Sequence, residues 1–425
     1  VIDVRVLRQD PDGARNSLLR RDPALGESVD RVLDLDRRWR AVVTESEALR
    51  AERNAQTEEV ARKKRAKEPA DDLLARLKTS ADRARVLDAE ARELDEQLRD
   101  LLMRLPNFPH RDIPTGTAEQ NRVLRTWGEP PKFDFTPRPH WELGESLGIL
   151  DLARGSKISG SGFPVFRGAG ARLVRALASF MLDLHTTEHG YLEIAPPYLV
   201  SRTTLTGTGQ LPKFEDEVYA SSRDDLFLIP TAEVPVTNLH RDEILEAGTL
   251  PVSYVAFTPC FRREAGAAGK DTRGLLRVHQ FDKVELVRLS APGASEAEHA
   301  LLTGHAETVL QRLELPYRVV ELASGDTGFS AARTYDLEVW AAGVESWLEC
   351  SSASSFTDFQ ARRANIRFRP APGAKPEFVH TLNASGVAFA RTIAALLENN
   401  QAADGSVGIP TLLRPYLGAD RLRPS

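Results

Sequence analysis

Hydrophobic positions along this chain follow two different spacings, and the change falls near residue 105. Between positions 32 and 49, apolar or small residues recur every three or four positions: Val32, Leu35, Trp39, Val42, Ser46 and Leu49. From Leu73 to Leu101 the same spacing runs unbroken through Leu77, Ser80, Ala84, Leu87, Ala91, Leu94 and Leu98. Alternating steps of four and three make a heptad seam, the pattern of helices packed along their length. Between the two series lies AKEPADD, where Pro69 opposes helix and Asp71 or Asp72 can cap the next one. Residues 1–105 are therefore predicted to form two long antiparallel helices joined by a tight turn, an arm of roughly 50 Å. The prolines of LPNFPHRDIP then mark a linker over residues 106–126.

From Trp127 onward the pattern changes. Strand-like apolar runs such as VSYVAFTPCFRRE, FDKVELVRL, YRVVELAS and WLECSSAS alternate with Gly/Pro turns. Helical spacing returns at Ala169–Thr187, Ser295–Arg312 and Val387–Asn399. Strands grouped by hairpin turns, without strict β-α-β alternation, predict an antiparallel sheet flanked by helices over residues 127–425. The fold class expected is α+β, a helical hairpin followed by this sheet core.

Composition narrows the choice. No apolar run among the 425 residues approaches the ~20 needed to span a membrane, and the opening VIDVRVLRQDPDGARN carries charges from the start. No membrane association and a cytoplasmic location are expected. Two cysteines, Cys260 and Cys350, make neither a CxxC pair nor a four-thiolate zinc site, so no zinc is expected. The net charge of −5 argues against a protein coated in nucleic acid, but local basic patches such as ARKKRAK at the end of the first helix remain available for phosphates.

Walker and Rossmann glycine fingerprints are absent, as is HExxH. A nucleotide would therefore be held on a sheet by side chains, and four stretches could supply them. In TAEVP, Thr231 and Glu233 lie two apart; on a strand they would face one side and could hold a small amine, or simply decorate an edge. In CFRREAGAAGKDTRG, Arg262 could fork onto a phosphate and Glu264 could accept from an exocyclic amine, with Gly266 and Gly269 letting the loop fold back. The returning LLRVHQFDKVE places Arg277, Phe281 and Glu285 at even spacings, giving a base-stacking ring and a carboxylate for an ammonium group. In LECSSASSF, Glu349 and the serines offer oxygen ligands for Mg²⁺, or form an ordinary loop. In HTLNASGVAFARTIAALLENNQ, a polar turn is expected to enter an apolar helix whose stripe contains Arg391, which needs an anion or a π face if buried and nothing if exposed.

In this order and spacing, these pieces resemble the class II aminoacyl-tRNA synthetases, and within them the bacterial-type seryl-tRNA synthetases. The resemblance covers nearly the whole chain and also rests on HWELGESLGILD, KISGSGF, GTGQLPKF, DFQARR and GIPTLLRPYLG. It implies a ligase that activates L-serine with ATP, aided by Mg²⁺, and transfers the seryl group to tRNA(Ser). The helical arm would grip the tRNA, and GYLEIAPPYLV, with Pro197, would lie in a homodimer contact. The resemblance assigns catalysis to Arg262 and Arg391, and extends the ATP contacts of Arg262, Glu264, Arg277, Phe281 and Arg391 to Arg263, Val278, Glu349, Cys350, Ser351 and Ser352. Serine would meet Thr231, Ala232, Glu233, Arg262, Glu285, Asn383 and Ser385, and Mg²⁺ would sit on Glu349 and Ser352. The chain departs from the family pattern at Ala384 and Ala390, where glycines are common, at Phe389, which replaces a smaller residue, and at Ala353 and Ser355. A specialised second copy of such an enzyme, or a ligase loading a carrier protein, would share most of these features.

Overall fold

The computed structural model describes residues 1–265 and 273–424, so the expectation for Gly266 and Gly269 lies outside the described residues. The chain divides into two compact units, residues 2–106 and residues 107–425 together with Val1.

In the first unit the heptad seam forms α1 (Gly26–Ala66) and α2 (Asp71–Arg104). Seam positions Val32, Ser46, Ala84, Leu87, Leu94 and Leu98 are buried. Polar ties flank the seam: Arg83 donates to Glu45 at 2.8 Å, and Asp88 accepts from both Ser46 Oγ and Arg50 at 2.7 Å. With 41 residues, α1 is about 60 Å long, somewhat more than the seam alone implied. The turn is made by Lys67, whose φ of 60° closes α1 in the left-handed region. Asp71 and Asp72 do not cap α2. They occupy its first turn, after an Ala70 N-cap, where their charge still favours the helix dipole.

The second unit is built on an eight-stranded sheet. Its strands are β1 (Arg122–Trp127), β2 (Leu192–Glu193), β3 (Val252–Phe261), β4 (Gln280–Ser290), β5 (Tyr317–Glu321), β6 (Arg333–Ala341), β7 (Ser346–Ser355) and β8 (His380–Ala388). The order across the sheet is β1-β5-β6-β7-β8-β4-β3-β2, antiparallel except for the parallel β2–β3 pair. Among the flanking helices, α3 (Ala169–Thr187) and α5 (Ser295–Arg312) keep the predicted boundaries. Along α3, Leu173, Leu177, Phe180, Met181 and Leu184 recur at helical spacing and are buried in the main core, each burial stabilising by about 1.5–3 kcal/mol.

Two expectations need correction. Residues 107–126 are not a free linker: β1 forms the sheet edge on β5, and the Asn107 amide donates to the Ser330 and Phe356 carbonyls at 3.0 and 2.8 Å. Prolines excluded helix there but did not exclude packing. HTLNASGVA is not a polar turn but β8, buried along nearly its whole length, and the helix after it begins at Phe389, not Val387. Thr381 and Asn383 donate to the buried side chains of Gln360, Glu233 and Glu285, so no surface alternation betrays the strand.

Candidate functional site

The strand β8 and its neighbours β4 and β7 form the floor of a cleft of about 410 Å³. Its lining includes Thr231, Glu233, Arg262, Glu264, Arg277, Val278, Phe281, Glu349, Cys350, Ser352, Asn383, Ser385 and Arg391. Thus most of the residues singled out along 160 positions of sequence meet in one place. Four do not reach it. Arg263 is exposed away from the lining, Ala232 is buried in a small apolar cluster, Ser351 donates its hydroxyl to the Ser385 carbonyl at 2.6 Å, and Glu285 is fully buried beneath the floor.

One end of the cleft is polar and deeply buried. Thr231 and Glu233 are not a strand pair as TAEVP suggested. Thr231 sits in a turn and its hydroxyl accepts from the Glu233 backbone N–H at 3.1 Å, leading into a short helix α4 (Glu233–Thr237). A threonine that bonds two residues ahead competes with extended backbone, and Pro235 is tolerated in a first turn. Glu233 accepts from Gln360 at 2.6 Å and from the Asn383 amide at 3.0 Å. Burial, and then the neighbouring Glu285 carboxylate, push its pKa up to about 7. Asn383 also donates to Glu285 at 2.8 Å, which fixes its amide orientation and leaves its buried carbonyl oxygen without a donor. That arrangement suits a small ligand bringing its own N–H or O–H donors.

Lys283, which sequence reasoning missed, binds Thr231 Oγ1 at 3.0 Å and pairs with Glu285. The ammonium that Glu285 meets is therefore the protein's own. The signal was present: Phe281, Lys283 and Glu285 share one face of β4 by their spacing of two. Gln360 was missed as well. It lies on α6 (Phe359–Ala364), within DFQARR, and its side-chain oxygen accepts from Thr381 at 2.6 Å while its amide grips Glu233.

The other end carries the arginines. The strand β3 ends at Phe261, so Arg262 and Glu264 lie just past it and do not share a strand face; Glu264 has a left-handed φ of 52°. Arg277 likewise precedes β4. All three still line the cleft. The Arg262 guanidinium lies 5.3 Å from the Phe281 ring centre. Arg277 pairs with Glu264 at 2.5 Å. Arg391, on α7 (Phe389–Asn399), donates to the Glu349 carbonyl at 2.7 Å and reaches its carboxylate at 3.3 Å. LECSSASSF is not a loop but β7, which presents Glu349 and Ser352 to the cleft. Opposite Ser352 on β6 stands Asp336, whose pKa is held well above the usual carboxylate range by burial and by Glu349. One of its carboxylate oxygens lacks a hydrogen-bond partner. Mutually repelling carboxylates beside a hydroxyl form an oxygen donor set that fits a hard divalent cation such as Mg²⁺. Among the described residues, no group of three or more His, Cys, Asp or Glu could by itself enclose a metal ion.

At the departures from the family pattern, Phe389 is buried with its ring stacked on Phe257 at 5.6 Å, and Ala390 lines the cleft next to Arg391. No helix among the described residues is long and apolar enough to cross a membrane.

Residues 1–109 match the family described as seryl-tRNA synthetase N-terminal domain, and residues 213–400 match the tRNA synthetase class II core domain (G, H, P, S and T). The chain is 58% identical to a serine–tRNA ligase of Gemmatimonas aurantiaca over 418 residues, 98% of both chains. It is 53% identical to that of Listeria monocytogenes over 419 residues, again 98% of both. Among solved structures, seryl-tRNA synthetase from Pyrococcus horikoshii complexed with ATP superposes with a TM-score of 0.95 at 39% identity, covering 100% of both chains. The cytoplasmic serine-tRNA ligase from Naegleria fowleri in complex with AMP gives 0.87 at 28% identity, covering 99% of this chain and 98% of that one.

Proposed function

The chain belongs to the seryl-tRNA synthetase family, and from that membership we infer that it joins L-serine to tRNA(Ser) at the expense of ATP. The observation that carries the assignment of roles is the single cleft in which an amino-acid-sized polar pocket adjoins three arginines and a stacking ring.

Serine sits at the Thr231–Glu233–Asn383 end. Glu233 accepts from its ammonium group, and Asn383 and Ser385 receive its remaining donors. ATP lies at the other end, with adenine between Phe281 and Arg391 and its amine near Glu264. A carboxylate oxygen of serine attacks the α-phosphorus in line. A new P–O bond forms as the bond to the β-phosphate oxygen breaks, giving seryl-adenylate and pyrophosphate. A ribose hydroxyl of the tRNA end then attacks the seryl carbonyl, and AMP leaves. Arg262 fits the role of stabilising charge on the α-phosphate in the transition state. Glu349 and Ser352 would hold Mg²⁺, which when bound supplies positive charge to the phosphates. No side chain acts as a nucleophile.

The first unit is read as the arm that holds tRNA, with Arg62, Lys63, Lys64, Arg65 and Lys67 near its turn available to phosphates. A homodimer is supported by β2, an edge strand where Leu192 is 62% exposed and Tyr198 and Leu199 follow it. The expected location is cytoplasmic.

Serine-dependent ATP–pyrophosphate exchange tests the reading. Exchange with serine is expected to exceed that with alanine by roughly 10⁴-fold, because alanine leaves buried polar groups unpaired. Equal exchange, or none, would overturn it. The pH profile tests Glu233 separately. Protonated Glu233 cannot receive an ammonium group, so kcat/KM for serine should fall as pH drops below about 7, the value to which burial raises this carboxyl. A profile flat from pH 8 to 6 would remove Glu233 from that role.

A further inference from the structure

Behind the cleft lies a second cavity of about 240 Å³ that the reaction does not use. It is bounded by the end of the helix Leu152–Ser159, the Phe163–Phe166 segment, Val174 of α3, the start of β4 and the first residues of α7. Ile158, Phe163, Phe166, Val174 and Phe389 contribute its larger apolar side chains, and Ser159, Gln280 and Asp282 its polar ones. Phe281 and Asp282 are consecutive in β4, so their side chains leave opposite faces of the strand. Asp282 lines only this cavity, whereas Phe281 borders both.

The Asp282 carboxylate makes no hydrogen bond or ion pair with any described residue, and burial alone raises its pKa above the usual value. A half-buried carboxylate with no partner costs stability, of the kind a protein retains where a ligand supplies the missing charge. The volume is below the ~300–1,000 Å³ of a drug-sized pocket, so that ligand is small. One carboxylate, with neutral Ser159 and Gln280 and several apolar side chains around it, matches a primary ammonium carried on an apolar body.

We propose that this cavity is a binding site for small apolar amines, with Asp282 pairing the ammonium group and Phe163, Phe166 and Phe389 enclosing the hydrocarbon. The site is distinct from the serine pocket, which is polar and holds Lys283. Occupancy also reaches the nucleotide end, because Ala390, which precedes Arg391, and Phe281 are walls shared by both cavities. That coupling rests on the reading of the cleft as the ATP site; binding itself does not. Phe389 and Ala390, two of the positions noted as departures from the family pattern, both line this cavity.

The test titrates 2-phenylethylamine into the full-length protein by calorimetry at pH 7.5, with 2-phenylethanol as the uncharged counterpart and with and without saturating serine. Saturable binding of the amine that persists with serine present is expected, with the alcohol and the Asp282→Asn variant each at least about tenfold weaker. Asp282→Asn should also unfold at a higher temperature than the parent, since it removes an unpaired charge. Val174→Phe, which adds bulk to the cavity lining, should abolish binding while serine-dependent exchange continues. Absence of binding, loss of binding to competing serine, or equal affinity of the alcohol or of Asp282→Asn would overturn the proposal. If the amine binds as proposed but leaves ATP affinity unchanged, the shared-wall coupling is wrong and the site stands.

Discussion

Replacing Arg262 with alanine is expected to lower serine-dependent ATP–pyrophosphate exchange by about 10²–10³-fold, the loss typical when one preorganised charge donor is taken from a transition state. The geometry explains why this arginine matters more than its neighbours. Arg277 is tied to Glu264 and Arg391 to Glu349, whereas the Arg262 guanidinium rests over the Phe281 ring with only a 3.4 Å bond from Nε to the Pro230 carbonyl. Its terminal nitrogens can therefore be spent on a phosphate without breaking an ion pair. Arg262→Lys keeps the charge but loses the planar fork, and should recover only part of the rate. The measurement is exchange at saturating ATP and serine, paired with thermal unfolding to show that the variant is folded. Exchange within a few fold of the parent would remove Arg262 from the chemistry.

Deleting Ile2–Pro106 should separate the two half-reactions. The cleft lies wholly within the second compact unit, so exchange should survive within a few fold. Charging of tRNA should fall by at least ~10²-fold in kcat/KM, because a surface that contacts several phosphates supplies most of a nucleic acid's affinity. Replacing Arg62, Lys63, Lys64, Arg65 and Lys67 with glutamine in the full chain is the milder counterpart. It should weaken charging and flatten its dependence on salt. Unchanged charging after either alteration would make the arm a spacer, and intact exchange without any charging by the parent protein would favour a ligase acting on a carrier protein.

The arm was legible in the sequence because of its long heptad repeat: every buried residue of α2 was picked out by the spacing, whereas α1 buries Val32 and Ser46 from that series together with Val29, Asp36 and Val60, which it did not mark. The helices Ala169–Thr187 and Ser295–Arg312 were legible for the same reason. The central strand β8 was not. The Thr381 hydroxyl bonds Gln360 and the Asn383 amide bonds Glu233 and Glu285, all of them buried, so polar residues that read as a turn lie inside the protein. TAEVP failed differently: the hydroxyl of Thr231 captures the backbone of Glu233 and starts a helix where alternation suggested a strand. Lys283 was passed over because a lysine between two aromatic- and acid-bearing positions reads as surface, whereas here it is buried against Glu285 and Thr231. Family resemblance supplied the roles of many site residues; the packing supplied Lys283, Gln360 and the partnerless Asp282.

The pairing of Arg277 with Glu264 and of Arg391 with Glu349 has a consequence for turnover. Each guanidinium has an intramolecular anion waiting within reach, at the far higher local concentration that a tether provides. On the reading proposed above, in which Arg277 contacts ATP, Glu264 competes with the departing phosphates for that cation and so favours their release. The resting cleft is thus largely self-neutralised, and stray phosphate or sulfate finds less there to hold than three arginines in a row would suggest.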